Sequence, residues 1–259
     1  MIDFHNHLIP GVDDGAATPE EAAAALAAFR EQGVRTVVAT PHINGALTTH
    51  PAALQTRLAE VDEGWAALEE VAAGEPEMRV LRGAEVMLDA PKVDMSDPRL
   101  RLAGTRFVLV EFPFMNVPPN APRAVFDLKM AGWRPVIAHP ERYGNAAVDL
   151  ADAQEWKRVG ALLQVNAGSL LGRYGERPQR LAWGLLERGL VDYLGSDYHA
   201  RGRCAVADCR AELERRGAGE QAALLLETNP ARLLDGDDPL PVPPVAAPRP
   251  LWRRVLGLR

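Results

Sequence analysis

The chain has 259 residues and a formal net charge of −6, and 47% of its residues are hydrophobic and 25% charged. These proportions are typical of a soluble globular protein with one barrel-sized domain or two small ones. No long run of Lys or Arg occurs before the last few residues, so the acidic balance disfavours sequence-independent binding of nucleic acid.

The N-terminus, Met1-Ile-Asp-Phe-His-Asn-His7, lacks the basic flank and apolar run of a signal peptide. No window of about 18 uninterrupted apolar residues occurs, so no stable membrane insertion is expected. The two cysteines, Cys204 and Cys209, are too few for a disulfide framework, and we expect free thiols. These features predict a cytoplasmic protein.

The first predicted helix begins after Thr18, which can cap it. Pro19 suits the first helical position and Glu21 completes a capping box, while Gly33 ends the helix. The short apolar run 34–40 follows at once and predicts a buried strand.

The same alternation of helix and strand continues along the chain. The further helices are predicted at 52–73, 121–131, 151–159 and 178–188, and the further strands at 79–85, 107–111, 135–138, 162–165 and 191–195. With residues 2–4 and 34–40, this makes seven candidate strands. Alternating strands and helices imply parallel strands with crossover helices, and seven such units favour a closed or nearly closed α/β barrel in a single domain.

The composition changes at Asp235. The sequence after it is rich in proline and predicts an extended, flexible tail over 235–259, so the barrel domain is expected to span 1–234. The final segment, 251–259, is short, basic and apolar. It is either a loose terminus or a docking peptide for a partner or an anionic surface.

Five of the six histidines stand where a predicted strand ends and a loop begins. They are His5, His7, His42, His139 and His199. Catalytic groups of barrels collect at that face, and five converging imidazoles indicate metal ligands rather than core or surface residues. His50, in a loop rich in Thr and Pro, has no predicted function.

Two pairs of ligand-type residues share a spacing of two. His5 and His7 lie on an extended segment, so their side chains point the same way and can hold one metal together. Asp197 and His199 repeat that geometry with one carboxylate. Oxygen and imidazole ligands without cysteine favour Mn²⁺, Fe²⁺ or Zn²⁺ over Cu⁺.

Three further acids occupy matching places at strand ends or in the loop after the first strand: Asp14, Glu85 and Glu111. Each alone could begin a solvated loop, but beside five histidines they resemble bridging ligands. Two or more cations close together suit the hydrolysis of phosphate esters. The cluster therefore favours a phosphoesterase, without excluding a peptidase.

These motifs resemble the polymerase and histidinol phosphatase (PHP) superfamily, and within it the bacterial capsule and exopolysaccharide tyrosine phosphatases of the CpsB/YwqE type. The most discriminating are Pro10-Gly-Val-Asp-Asp-Gly15 and His139-Pro-Glu-Arg-Tyr143. The resemblance extends from Met1 to about Leu234. The matching segments are 1–15, 39–42, 83–85, 110–113, 138–143, 164–169 and 195–199.

The resemblance implies a distorted (β/α)7 barrel that holds up to three divalent metals, usually Mn²⁺. The implied ligands are His5, His7, Asp14, His42, Glu85, Glu111, His139, Asp197 and His199. It also implies a substrate, phosphotyrosine on the tail of a bacterial tyrosine autokinase. The oligomeric state stays open.

The predicted catalytic residues are Arg142, Arg201 and Asp197. Arg142 can bind the phosphoryl group and assist the leaving phenolate, or form a structural ion pair with Glu141 or another acid. The resemblance places a second phosphate-binding arginine at Arg201 or Arg203, with Arg201 slightly favoured.

One motif points to a different chemistry. Cys204 and Arg210 match the Cys-x5-Arg pattern of cysteine-dependent tyrosine phosphatases, but no glycine lies between them, so we interpret the match as coincidence.

Two other functions stay open. The first is a small-molecule phosphatase acting on histidinol phosphate, or a phosphodiesterase. The second is a non-catalytic module that binds a kinase tail.

Overall fold

The computed structural model describes residues 1–113, 117–144 and 148–246. The strands are β1 (Ile2–Asn6), β2 (Thr36–Ala39), β3 (His42–Asn44), β4 (Arg79–Arg82), β5 (Glu85–Met87), β6 (Phe107–Glu111), β7 (Arg134–Ala138), β8 (Leu162–Asn166) and β9 (Tyr193–Gly195). The α-helices are α1 (Pro19–Glu31), α2 (Pro51–Ala73), α3 (Ala121–Met130), α4 (Leu150–Val159), α5 (Ala167–Leu170), α6 (Glu176–Glu187), α7 (Val206–Arg215), α8 (Gly219–Ala223) and α9 (Asn229–Leu234). A π-helical turn, Leu224–Thr228, joins α8 to α9.

All paired strands are parallel, which confirms the predicted α/β class. They form two sheets, of order β1-β2-β4 and β3-β5-β6-β7-β8-β9. The described residues form nine strands where seven are predicted. The expected strand 34–40 corresponds to β2, and β3 follows it as an unpredicted strand after Thr40 and Pro41, where proline has no N–H for the ladder. The expected strand 79–85 divides at Gly83, whose missing side chain leaves room for Leu102; a Cβ there would lie 3.1 Å from the Leu102 side chain.

The expected closed barrel is not one continuous hydrogen-bonded ladder, because these two breaks separate the sheets. Near the end of β1 the first strand is linked to the segment after β9. The N–H of Asp197 donates to the carbonyl of His5 at 2.8 Å, and the N–H of His7 donates to that of Tyr198 at 2.9 Å. These bonds bring the first and last predicted ligand pairs side by side.

Helix α1 begins as its sequence predicts. The hydroxyl of Thr18 accepts the N–H of Glu21 at 3.3 Å, and the Glu21 carboxylate accepts the N–H of Ala17 at 2.7 Å. Pro19 occupies the first helical position, and Gly33 follows the helix with a φ of +78°. Glycine adopts a left-handed φ without the steric penalty that other residues incur, so the chain can turn at Gly33 and continue into β2.

The core and the site lie at different positions along the same face of a strand. On β6, Phe107 and Leu109 share a face with Glu111, because successive side chains of a strand point to opposite sides. Phe107 and Leu109 belong to a small buried apolar cluster that includes Phe4 and Tyr193, whose rings meet edge to face at 5.1 Å. An apolar layer therefore lies along the same face as the acidic end of β6.

The segment after α9 differs from the flexible linker that its prolines predict. Val242 and Val245 are buried, and the N–H of Val245 donates to the carbonyl of Leu186 at 3.0 Å. The N–H of Leu240 donates to the side-chain oxygen of Asn229 at 2.8 Å. The chain is extended, as proline requires, but it packs against the rest of the protein as far as Val245.

The division at residue 234 stays a prediction, and the basic, apolar segment 251–259 lies outside the described residues. Within the described ranges, no helix combines the length and the apolar character needed to cross a membrane.

Candidate metal centre

The structure brings all nine predicted ligand side chains together in one cluster. His42 and Glu85 are the first residues of β3 and β5, shortly after β2 and β4 end, and the others lie at the carboxyl ends of strands or in the segments that follow them. Each of the nine belongs to at least one group whose ligand atoms lie within 4.8 Å of one another. The groups are His7, Asp14, His42 and His199; His5, Glu85 and His139; His5, His7 and Asp197; and His42, Glu85 and Glu111. Because the groups share members, they form one continuous cluster.

The first two histidines face two shared carboxylates. Nε2 of His5 lies 3.2 Å from Oε2 of Glu85 and 3.4 Å from Oδ1 of Asp197. Nε2 of His7 lies 3.5 Å and 3.3 Å from the same two atoms. All four side chains are almost fully buried. The expected orientation of His5 and His7 toward one point is therefore present.

Glu85 lies at the centre of the cluster. Its Oε2 is 3.2 Å from Nδ1 of His42, and its Oε1 is 3.0 Å from Nε2 of His139. Nδ1 of His42 also lies 3.3 Å from Oε1 of Glu111. A carboxylate with different imidazoles on its two oxygens has the arrangement of a bridging ligand.

Asp14 occupies the exposed side of the cluster. Its Oδ1 lies 3.3 Å from Nε2 of His199 and 3.6 Å from Nε2 of His42, and its side chain is 65% exposed. The mouth of the cluster is therefore formed by Asp14, His42 and His199, while His5 and Glu85 lie at its buried end.

Among the described residues, Nδ1 of His139 lacks a hydrogen-bond partner, and so do four buried atoms that face one another in the cluster: Nε2 of His5, Nε2 of His7, Nδ1 of His42 and Oε2 of Glu85. Leaving such atoms unpaired in the interior costs about 1–3 kcal/mol each. The latter four converge on the same space, and imidazole nitrogens with carboxylate oxygens are the donor set of divalent transition metals. The residues present therefore fit a multinuclear cation site.

The electrostatics of the cluster are those of paired acids and imidazoles. Burial lowers the pKa of His5, but the carboxylates of Glu85 and Asp197 outweigh it and raise that pKa to about 9. Burial raises the pKa of Glu85, but the imidazoles of His5 and His139 hold it well below its ordinary value. Cations that bind here must compete with protons on the imidazoles.

The backbone is strained at two of the nine residues. His139 has a φ of +35° and Asp197 a φ of +51°, in the left-handed region that non-glycine residues rarely adopt. Such a conformation costs on the order of 1 kcal/mol or more and tends to occur at functional sites. The side chains of both residues, held in this backbone conformation, belong to the cluster.

Sequence reasoning missed the polar residues that orient the cluster. Nδ1–H of His7 donates to Asp13 at 2.8 Å, and Nδ1 of His5 is 2.7 Å from the side-chain oxygen of Gln164. The side-chain amide of Asn166 donates to Asp197 at 2.8 Å. The motif Asp13-Asp14 indicates that an acid lies near the cluster. Nothing in the sequence shows that Asp13 is the acid that bonds His7 and that Asp14 is the exposed one.

Arg142 lies at the edge of the same cavity. Its guanidinium contacts the carboxylate of Asp197, and its Cζ lies 4.2 Å from the ring centroid of Tyr174, a residue that the sequence did not single out. Glu141 is not its partner: that buried carboxylate accepts the hydroxyl of Ser169 at 2.6 Å and the N–H of Asn166 at 3.0 Å. The cavity has a volume of about 410 Å³ and is lined by Asp14, His42, Met87, Glu111, His139, Arg142, Asp197 and His199.

Arg201 and Arg203 line an adjoining pocket instead of this cavity. Arg203 also donates to Asp208 at 2.7 Å. A direct phosphate contact from Arg201 or Arg203 therefore stays a prediction.

The two cysteines are free and buried. Burial raises the pKa of each thiol to about 12, so neither is ionised at neutral pH. The stretch between Cys204 and Arg210 leads into α7 and forms no phosphate-binding loop. This geometry agrees with the interpretation of the Cys-x5-Arg match as coincidence.

Comparisons of sequence and of structure both find tyrosine phosphatases among the proteins similar to this chain. The chain is 32% identical to the tyrosine-protein phosphatase YwqE of Bacillus subtilis over 202 residues, covering 77% of each chain. It is 30% identical to the tyrosine-protein phosphatase CpsB of Streptococcus pneumoniae over 207 residues, covering 77% of this chain and 83% of the relative.

A solved structure from work on YwqE and CpsB, described as unique metal-dependent tyrosine phosphatases, superposes with a TM-score of 0.77. The two chains are 29% identical, and the match covers 96% of this chain and 100% of the other. An amidohydrolase from Mycoplasma synoviae, with 14% identity and a TM-score of 0.54, shares the fold alone.

The sequence profile of the family described as "Capsular polysaccharide synthesis, CpsB/CapC" matches residues 1–235. The resemblance drawn from the histidine and carboxylate motifs is thereby confirmed, and the chain belongs to the CpsB/CapC family.

Proposed function

We propose that this protein is a metal-dependent tyrosine-protein phosphatase. The observation that carries the proposal is the convergence of unpaired buried donor atoms from His5, His7, His42 and Glu85 beneath a cavity with Arg142 at its edge. Relatives that are about 30% identical bear the same activity in their names.

The nine clustered side chains would hold up to three divalent cations: His5, His7, Asp14, His42, Glu85, Glu111, His139, Asp197 and His199. Four overlapping groups share Glu85, His5, His7 and His42, which suits ions that share bridging ligands. We propose Mn²⁺ as the ion, because the cluster includes several carboxylates and Mn²⁺ prefers hard oxygen ligands of this kind. Fe²⁺ and Zn²⁺ are the alternatives.

Bound cations supply the activation of a water molecule and neutralise charge on the phosphoryl oxygens. Arg142 would donate two hydrogen bonds to the phosphoryl group, because a guanidinium is always charged and planar. Asp197 would orient Arg142 through the contact between their side chains. Arg201 would contact the phosphate from the adjoining pocket. The phenolate of tyrosine needs less protonation on departure than an alkoxide does.

The substrate we propose is phosphotyrosine on the tail of a bacterial tyrosine autokinase that controls capsule or exopolysaccharide synthesis, in the cytoplasm. Support comes from the capsular polysaccharide family and from the tyrosine phosphatase relatives. The cavity is open to solvent at Asp14, which gives a peptide side chain access to the cluster.

The test measures phosphate release by the Mn²⁺-loaded protein from a phosphotyrosine peptide, from histidinol phosphate and from a phosphodiester, each with and without chelator. Metal content is determined in parallel. His7→Ala removes a clustered imidazole, and His50→Ala removes an imidazole outside the cluster as a matched control. Loss of turnover in His7→Ala alone ties the activity to the cluster.

Preference for phosphotyrosine that chelator abolishes would support the proposal. Preference for histidinol phosphate or the diester would keep the metal chemistry but replace the substrate. Binding of the phosphotyrosine peptide without turnover by a fully metal-loaded protein would indicate a binding module instead.

A further inference from the structure

A second pocket opens beside the metal cavity and is strongly basic. We call it the basic pocket; its lining includes Gly168, Arg173, Tyr174, Tyr198, Arg201 and Arg203. Its volume is about 470 Å³, and it shares Asp197 and His199 with the metal cavity. The two cavities therefore adjoin at Asp197 and His199, and a ligand that reaches the cluster lies next to the basic pocket.

Two of its arginines share one acid. Arg203 donates to Oδ1 of Asp208 at 2.7 Å, and Nη2 of Arg173 lies 3.6 Å from Oδ2 of the same carboxylate. Arg173 also donates to the backbone carbonyl of Arg203, which fixes its position. With the exposed Arg201, three arginines belong to the pocket. The carboxylates beside them are Asp208 and Asp197, and Asp197 also pairs with Arg142, so the pocket keeps an excess of positive charge.

One side of the basic pocket depends on close packing at Gly168. A Cβ at this position would lie 3.0 Å from Cε2 of Tyr174 and 3.4 Å from Cδ of Arg173. The absent side chain lets Arg173 and Tyr174 lie close to the backbone there. The Tyr174 ring also lies against Arg142. Tyr174 thus connects the arginine of the metal cavity to the basic pocket.

We propose that the basic pocket binds a second anionic group of the substrate, one or two residues from the phosphotyrosine. This inference rests on the proposed phosphatase function and names the class of peptide that it prefers. An extended peptide advances about 3.3 Å per residue, so only a near neighbour of the phosphotyrosine can reach a cavity that adjoins the metal cavity. The recognised group is a carboxylate or a second phosphate, since guanidinium groups pair with both.

We choose Arg173 for substitution because it lines the basic pocket but not the metal cavity. Arg173→Gln removes its charge and keeps a polar side chain. Arg203→Gln removes the second paired arginine as an independent variant. Arg180→Gln is the matched control, since Arg180 is exposed on α6 and pairs with Glu176 at 3.0 Å.

The measurement compares kcat/KM for three phosphotyrosine peptides that differ at the neighbouring positions. One carries glutamate, one a second phosphotyrosine and one glutamine. Binding of the same peptides with a non-hydrolysable difluoromethylphosphonate in place of the reactive phosphate is measured by calorimetry. Circular dichroism and thermal melting establish that each variant is folded.

The wild-type protein should prefer both anionic peptides over the glutamine peptide by about three- to tenfold, as expected for charge-assisted contacts that are partly exposed. Arg173→Gln and Arg203→Gln should each reduce that ratio toward one, and Arg180→Gln should leave it unchanged. A larger ratio for the doubly phosphorylated peptide identifies phosphate as the preferred group; equal ratios identify any anion.

Equal kcat/KM for all three peptides, or a ratio that Arg173→Gln and Arg203→Gln leave intact, would overturn the second subsite while the phosphatase function stands. Absence of turnover on every peptide by metal-loaded protein would overturn the phosphatase function, and the subsite with it. The two failures are therefore distinguishable.

Discussion

Oδ2 of Asp13 accepts the Nδ1–H of His7 at 2.8 Å and the backbone N–H of His42 at 3.1 Å. Since a carboxylate can only accept, this bond makes Nδ1 of His7 the protonated nitrogen. Nε2, which faces Glu85 and Asp197, is then the nitrogen that a cation would bind in place of a proton. Asp13 therefore sets the tautomer and the direction of His7 without being a predicted ligand itself.

Asp13→Ala should weaken metal binding by about 10- to 100-fold, the usual cost of losing the hydrogen-bond partner of a ligating histidine. The affinity is measured by competition with a chelator, and the melting temperature should rise less on addition of Mn²⁺ than in the wild type. Asp127→Ala, which removes an exposed acid of α3, is the control. Unchanged affinity in Asp13→Ala would show that His7 is oriented by packing alone.

Arg142→Ala should lower kcat about 100-fold with metal content unchanged, because the phosphoryl group loses charged donors in the transition state. Arg142→Lys should recover only part of the rate, since an ammonium cannot offer the paired donors of a guanidinium. The measurement is steady-state kinetics with metal analysis of the same samples. A full rate in Arg142→Ala would remove this residue from the mechanism.

Cys204→Ser should keep about the wild-type rate, because the buried thiol, with its pKa raised to about 12, does not form a thiolate nucleophile at neutral pH. The same variant should lose its activity to chelator as the wild type does. The opposite pair of results, inactivity of Cys204→Ser and indifference to chelator, would replace the metal mechanism with a cysteine mechanism.

The sequence predicts the histidine and carboxylate cluster well because its members stand at strand ends, and parallel strands bring those ends to one face. Asp13, Gln164 and Tyr174 were missed because their roles depend on distant partners, such as the contact of Tyr174 with Arg142. The separate strand β3 and the division of the expected strand 79–85 were missed for a similar reason. Pro41 interrupts one ladder locally, but the break at Gly83 depends on packing against Leu102.

Acid should weaken the pairing of Asp97 with Arg99, whose guanidinium also donates to Asp62 of α2 at 2.9 Å. The Arg99 side chain donates to Asp97 at 2.7 Å and holds the pKa of that carboxyl at about 2, below its ordinary 3.8. Because the pKa is lowered in the fold, the ionised carboxylate stabilises the protein above about pH 4. That contribution is lost as the pH falls through 3.8 toward 2.

Asp97→Asn keeps an acceptor for the N–H of Arg99 and removes only the charge. After allowance for solvent screening, it should lower the free energy of unfolding by about 0.5 kcal/mol near neutral pH. The difference from the wild type should shrink as the pH approaches about 2. Urea denaturation at a series of pH values measures it, and a difference that stays constant with pH would contradict the assignment to charge.

The segment after α9 should contribute to stability, although its prolines predict a flexible linker. Val245→Ala removes buried methyl groups beside Leu186 and should lower the free energy of unfolding by about 1–2 kcal/mol. Pro243→Ala, at an exposed position of the same segment, is the control. The midpoint of urea denaturation measures both variants.

Equal midpoints for Val245→Ala and Pro243→Ala would mean that the segment does not stay packed in solution, as expected of a flexible linker. A lower midpoint for Val245→Ala alone would extend the folded unit at least to Val245. Proline fixes φ and prevents helix and ladder formation, but it does not prevent burial of the valines between the prolines. The alternation of buried Val242 and Val245 with exposed prolines is therefore compatible with an extended strap on α6.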